Sequence, residues 1–173
     1  GAGAARGAVA QQVAHMLLEQ AQVDTQVQGA KLAEITELLG IDALGVAVGT
    51  VRADDPALTV RGEVTPLTPP VRVIFDSRAE VPADASLVRT ARKVPTVVLS
   101  APEAPAARLE ALRKAGVGVD TGANLAAQLR ALKARGVQSI LVEGGGVLAG
   151  RLIAAGLVDR LYLLQAPMLL GRD

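Results

Sequence analysis

TVVLSAPEAPAARLEALRKAGVGVD, residues 96–120, is the stretch that decides the fold. TVVLS (96–100) is β-branched and apolar, and reads as a strand. PEAPA (102–106) is rich in proline and reads as a loop segment. APAARLEALRKAG (104–116) is amphipathic at helical spacing and closes on Lys114 and Gly116, a basic-then-glycine helix ending. VGVD (117–120) is the next short strand. Strands joined through a helix of ten or more residues make right-handed crossovers, which lay the strands parallel.

The alternation of short apolar runs and helical stretches continues on both sides, without an internal repeat. DALGVAV (42–48), VRVIFD (71–76) and QSILVE (138–143) read as strands, and DRLYLLQAPMLL (159–170) as a last one. ANLAAQLRALKARG (123–136) and GGVLAGRLIAAG (145–156) read as helices. Val9, Val13, Met16 and Leu17, then Leu32, Ile35, Leu38 and Leu39, recur at helical spacing, so 8–39 reads as one or two helices ended by Gly40. PLTPP (66–70) is a further loop segment. The expected fold is α/β, three layers around a mostly parallel central sheet. The 173 residues are expected to form one domain.

Composition narrows the chemistry. Half the residues are hydrophobic, yet Phe75 and Tyr162 are the only aromatics, so the core is built from Ala, Val, Leu and Ile. The formal net charge is +1, which offers no field for nucleic acid or a membrane surface. With no cysteine and one histidine, disulfide scaffolds, Cys/His zinc sites and thiol catalysis are excluded. So is a zinc-dependent nucleobase deaminase centre. His15 stands in the first expected helix with no partner base or ligand in view. No apolar run is long enough to span a membrane. A reducing, cytoplasmic setting is the expectation. The opening GAGAARGAVAQQVAHMLLEQ has no initiator Met and no signal-peptide order, and reads as trimmed.

Two stretches carry candidate chemistry. LVEGGGVLAG (141–150) puts Gly144, Gly145 and Gly146 between a strand and a helix, where backbone can approach a phosphate at a helix N-terminus. The spacing, Gly144, Gly146 and Gly150, is a near miss of the dinucleotide fingerprint. A tight turn needing small residues explains it equally well. Glu143 would sit at the carboxyl end of a central strand, where a hydroxyl-rich ligand is a natural partner for a carboxylate. GTVRADDPALTVR (49–61) also follows a strand and is expected to be a loop. Thr50 offers a hydroxyl, and Asp54 can cap a turn or bind a ligand hydroxyl. Pro56 is expected to hold Asp55 extended. Adjacent carboxylates without further ligands are a poor metal site.

Taken in order, GTVRADDPALTVR, then FDSR (75–78), then LVEGGGVLAGRLIAAGLVDRLYLLQAPMLLG (141–171) closely resemble the reductase domain of riboflavin biosynthesis. That domain has a dihydrofolate-reductase-like fold. It occurs as the C-terminal half of the bifunctional deaminase/reductase, or alone as a reductase of a ribosylamino pyrimidine phosphate. The resemblance covers about 42–171, and residues 1–40 match it poorly. It implies NADPH-dependent reduction of the ribosylamino group of a pyrimidine 5′-phosphate to ribitylamino. By that resemblance Thr50, Asp54 and Ser77 contact NADPH. Gly145, Gly146, Val147, Leu148, Ala149, Gly150 and Arg151 hold the pyrophosphate. Leu58, Arg61 and Glu143 line the substrate site. The resemblance also implies a homodimer, and a phosphorylated pyrimidine as partner rather than nucleic acid or membrane.

The chain departs from the family pattern at both ends. The family's opening strand with a Lys and then Ser-Leu-Asp-Gly is missing, as is a Ser-x-Trp-Ile-Thr element; Leu38 stands where the family usually has Arg. No catalytic acid is therefore named. Two other readings stand beside the first: a dihydrofolate-reductase-like oxidoreductase with another substrate, and a non-catalytic nucleotide-binding subunit.

Overall fold

The computed structural model describes residues 40–59, 68–143 and 145–161. The helices expected over 8–39, Arg61, Gly144 and the part of the 159–170 strand beyond Leu161 lie outside the described residues. Asp159–Leu161 themselves are not in a strand.

Among the described residues five strands alternate with five helices. They are β1 (Ala43–Ala47), α1 (Val48–Asp54), β2 (Val71–Phe75), α2 (Ser86–Arg89), β3 (Thr96–Ser100), α3 (Ala106–Ala115), β4 (Gly118–Thr121), α4 (Leu125–Ala134), β5 (Ile140–Val142) and α5 (Gly146–Ala154). The strands form one sheet in the order β4-β3-β2-β1-β5, and every pairing is parallel. This is the expected α/β fold.

Side chains alternate along each strand, so the sheet buries both faces. Val46, Ile74 and Val98 face Val51 of α1, Leu87 and Val88 of α2, and Leu109 and Leu112 of α3. Ala43, Val73, Phe75, Val97 and Leu99 face Leu132 of α4 and Leu148 and Leu152 of α5. Helices therefore cover the two faces of the sheet, giving three layers. Gly45 lets β1 fit between its neighbours β5 and β2. A β-carbon there would stand 2.9 Å from Ile140 Cδ1 and 3.1 Å from Phe75 Cε2.

Two expectations are corrected at the end of β1. Residues 48–54 form a two-turn helix, not a loop. Gly49, Thr50, Val51 and Asp54 are poor helix formers, so local propensity hid the element; burial of Val51, only 2 % exposed, overrides it. Asp55 is not extended: it takes the left-handed conformation, φ 39°, and its N–H donates to Val51 O at 3.0 Å. The Asp55 carboxylate accepts from Ser86 N and Ser86 Oγ, both at 2.7 Å. It thereby caps the start of α2 from a distant loop. Those bonds hold its carboxyl below the usual aspartate range.

Arg72 is a charged residue inside the first core face, 1 % exposed. Its guanidinium donates to Thr96 Oγ1, Thr90 Oγ1 and the carbonyl oxygens of Ala57, Leu87 and Val94. Burial pushes its pKa down from the usual arginine value. Its fork is satisfied by neutral acceptors and ties the end of the 55–58 loop to β3.

Candidate functional site

The topology singles out one crevice. The chain lays β1, β2, β3 and β4 outward in sequence, then returns past β1 to add β5 on its other side. α1 leaves the carboxyl end of β1 over one face, and α5 leaves the end of β5 over the other. Open α/β sheets bind ligands where the order reverses in this way, outside the carboxyl ends of the strands.

The glycine loop lies against β1 at this point. Gly145 has φ +71° and is the N-cap of α5, with no side-chain cap on the helix. Ala149 N donates to Gly145 O at 3.1 Å, while the N–H groups of the first turn have no side-chain acceptor capping them. A β-carbon on Gly145 would lie 3.5 Å from Ala47 Cβ and 3.6 Å from Thr50 Oγ1. Thr50 and Asp54 are four residues apart on α1, so they share one flank of the helix. Val51, between them in sequence, points into the core.

Ser77 follows β2, next to β1 in the sheet, and is exposed. Its carbonyl oxygen accepts from Ala101 N at 3.1 Å and Ser100 Oγ at 3.2 Å, which anchors the loop and leaves the Ser77 hydroxyl at the surface. Glu143 follows β5, and its N–H donates to Gly45 O at 2.8 Å. Burial pushes the Glu143 carboxyl above the usual glutamate value. Among the described residues its carboxylate has no hydrogen-bond or ion-pair partner.

The structure thus gathers Thr50, Ser77, Glu143, Gly145 and Gly146 at the carboxyl ends of β1, β2 and β5, with Asp54 one helical turn from Thr50. Leu58 has φ +44° and packs partly against the first core face. Within α5 the roles divide. Leu148 is buried in the second core face, so its backbone N–H alone is available to a ligand. Val147 is 74 % exposed. Gly150 and Arg151 lie more than one turn from the helix start, and the exposed Arg151 is about 7.5 Å along the axis.

The sequence profile of the RibD C-terminal domain matches residues 8–173. The chain belongs to the RibD C-terminal domain family. Similar proteins include the 2,5-diamino-6-ribosylamino-4(3H)-pyrimidinone 5′-phosphate reductase of Aquifex aeolicus, 34 % identical over 137 residues. That match covers 77 % of this chain and 60 % of that protein. The reductase of the same name from Methanothermobacter thermautotrophicus is 37 % identical over 134 residues, covering 75 % of this chain and 61 % of that one. The chain therefore spans about three fifths of the length of these relatives. In fold it is similar to Acinetobacter baumannii RibD, form 1, with a TM-score of 0.65 at 23 % identity over 89 % of this chain and 42 % of that one.

In this RibD C-terminal domain several polar contacts had no signal in the sequence. Asp55, the second of the Asp pair, is a structural cap. Arg52, Arg78 and Arg108 converge on Glu80 from three separate segments. Only the folding of α1, the 76–81 loop and α3 together reveals that cluster. Among the described residues there is no group of His, Asp or Glu able to hold a metal ion. No described helix is long and apolar enough to cross a membrane.

Proposed function

We propose that this chain is an NADPH-dependent reductase that converts the ribosylamino group of a pyrimidine 5′-phosphate to ribitylamino in riboflavin synthesis. The observation that carries the reading is the cradle between Gly145 and Thr50 at the crevice between β1 and β5. A side chain at Gly145 would fill it, and the first turn of α5 beside it has no side-chain cap. These features fit a dinucleotide pyrophosphate.

When bound, NADPH supplies a hydride to C1′ of the sugar, and a proton completes the reduction. The protein's part is to bind and orient. Backbone N–H groups of Gly146, Val147 and Leu148 would hold the pyrophosphate, and the Thr50 hydroxyl, the Asp54 carboxylate and the Ser77 hydroxyl would hold the rest of the cofactor. Glu143 accepts hydrogen bonds from sugar hydroxyls, while Leu58 and Arg61 complete the substrate side, Arg61 as a fork for the 5′-phosphate. The reading includes the homodimer and the cytoplasmic setting expected from the family resemblance. Sedimentation tests the former, a dimer having twice the 17.7 kDa chain mass.

The deciding experiment has two parts: fluorescence titration with NADPH, then turnover with the ribosylamino pyrimidine phosphate followed by NADPH oxidation. Saturable binding and stoichiometric oxidation are expected. Binding without turnover of this substrate would move the reading to a related oxidoreductase. Absence of binding by the folded protein would overturn it.

A further inference from the structure

The stretch between α1 and Leu58 is held in a closed circuit of bonds. The Asp55 carboxylate accepts from Ser86 N and Ser86 Oγ, both at 2.7 Å. At the far end of α2, Thr90 Oγ1 donates to Ser86 O at 2.6 Å and accepts from Arg72 Nη1 at 2.8 Å. The same Arg72 nitrogen donates to Ala57 O at 3.3 Å, which returns the circuit to the loop. Residues 55 to 57 are thus gripped at both ends, and Pro56 between them has its own φ fixed by its ring.

The two sides of the Arg72 fork have different tasks. Nε and Nη2 meet Thr96 Oγ1 at 3.0 and 2.7 Å, and Nη2 also meets Val94 O at 2.9 Å. These bonds fasten the guanidinium to β3 and the residues leading into it, and Nη1 is left to reach Thr90 and the loop. Core packing alone calls for an apolar side chain here, since Arg72 shares its face of β2 with Ile74. A guanidinium in that place carries a desolvation cost that its neutral acceptors offset. What it adds, and an apolar residue could not, is a bond from the core to the loop.

That bond acts on Leu58. Ala57 O belongs to the planar peptide that joins Ala57 to Leu58, so holding the oxygen sets the direction in which the chain enters Leu58. Leu58 has φ +44°. A bulky residue takes this left-handed conformation only where its surroundings impose it. The Leu58 side chain packs partly against the first core face, so the fold constrains the residue from two sides.

We propose that Arg72 is a positioning residue for the substrate: through Ala57 it holds Leu58 in the conformation that borders the pyrimidine phosphate. The inference rests on the reading above, which puts Leu58 on the substrate side. Arg72 itself is 1 % exposed and touches neither substrate nor cofactor. Small displacements of a lining residue matter there, because binding and reaction both require near-contact geometry. A lysine cannot reproduce the arrangement, since a single ammonium lacks the fork that spans β3 and the loop at once.

The test is steady-state kinetics at saturating NADPH with the ribosylamino pyrimidine phosphate varied, and NADPH affinity measured separately by fluorescence titration. Wild type is compared with Arg72→Lys, Thr90→Val and Leu112→Ala, each checked by circular dichroism and thermal melting. Leu112 is buried in the same core face, outside the circuit, and reports on loss of stability alone. Arg72→Lys should raise KM for the pyrimidine phosphate about tenfold, while kcat and NADPH affinity change by less than about twofold. Thr90→Val removes the circuit's link to Ser86 and keeps Arg72. It should raise KM in the same direction, by about threefold, and it decides the matter where Arg72→Lys does not fold. Leu112→Ala should melt lower and keep the wild-type KM. Wild-type KM in the folded circuit variants, an equal rise of KM in Leu112→Ala, or a matching loss of NADPH affinity would overturn the inference while the reductase reading stands. Wild-type protein that binds NADPH but does not turn over this substrate would remove both.

Discussion

Gly145 and Thr50 meet across the junction of β5 and β1, with the Thr50 hydroxyl oxygen 3.6 Å from where a β-carbon on Gly145 would stand. A β-carbon there would make ordinary van der Waals contact with Ala47 and Thr50, and any larger side chain would take up the space beside them. Gly145 also has φ +71°, a conformation that costs a residue with a β-carbon about 1–2 kcal/mol. Gly145→Val should therefore lower the melting temperature modestly and abolish NADPH binding. A folded Gly145→Val protein with wild-type NADPH affinity would show that the pyrophosphate lies elsewhere.

Asp55 gives a pH signature. Its bonds from Ser86 lower its pKa in the folded chain, so the stability they confer is complete above the ordinary aspartate range and is lost as pH falls through the folded value. Asn tolerates the left-handed conformation, so Asp55→Asn isolates the charge. The variant should melt below wild type at neutral pH, and the gap should vanish in strong acid. A gap that persists unchanged at low pH would mean that the carboxylate charge is not what holds α2.

Glu143 behaves in the opposite sense. Burial raises its pKa, so ionising it weighs on the folded state at neutral pH. That penalty shrinks as pH falls through the raised folded value and is gone below the ordinary glutamate range. Glu143→Gln should be more stable than wild type at neutral pH, with the two converging on acidification. On the proposed substrate role it should also raise KM for the sugar substrate while leaving NADPH affinity unchanged. A parallel loss of NADPH affinity would move Glu143 to the cofactor side.

Arg72 is the largest single polar investment of the core. Arg72→Met would fill similar volume but remove every bond the guanidinium makes, to the carbonyl oxygens of Ala57, Leu87 and Val94 and to the hydroxyl oxygens of Thr90 and Thr96. The expected cost is about 3 kcal/mol in urea unfolding. Arg72→Lys should recover only part of it, since a single ammonium cannot span acceptors placed for a fork. Full recovery by lysine would show that charge, rather than geometry, is what the site requires.

The regular βαβ elements were legible because each carries a repeated signal. TVVLS and VRVIFD are β-branched runs, and the α3 and α4 sequences end on basic residues and glycine. α1 was not legible, because Gly49, Thr50 and Asp54 signal a loop and only the burial of Val51 against Ile74 and its neighbours makes the helix. The same holds for the site. Thr50, Asp54, Ser77, Glu143 and the glycines could be named from short motifs. The Glu80 cluster could not, since its members are brought together by three different crossovers. Asp55 is similar: the residue it caps, Ser86, is 31 positions away.

The pairing of β1 with β5 also has a consequence for how the molecule assembles. Strands β1 to β4 join neighbours that follow one another in the chain, so each pairing closes a modest loop. β5 must find β1 across almost the whole described chain. Asp42 marks the join, accepting from Ser139 N 97 residues away and donating its own N–H to Ser139 Oγ. Loop closure over that span is entropically expensive and slow relative to the sequential pairings. The crevice is therefore expected to close after the sequential pairings, and any ligand that binds between β1 and β5 of the folded chain stabilises that closure.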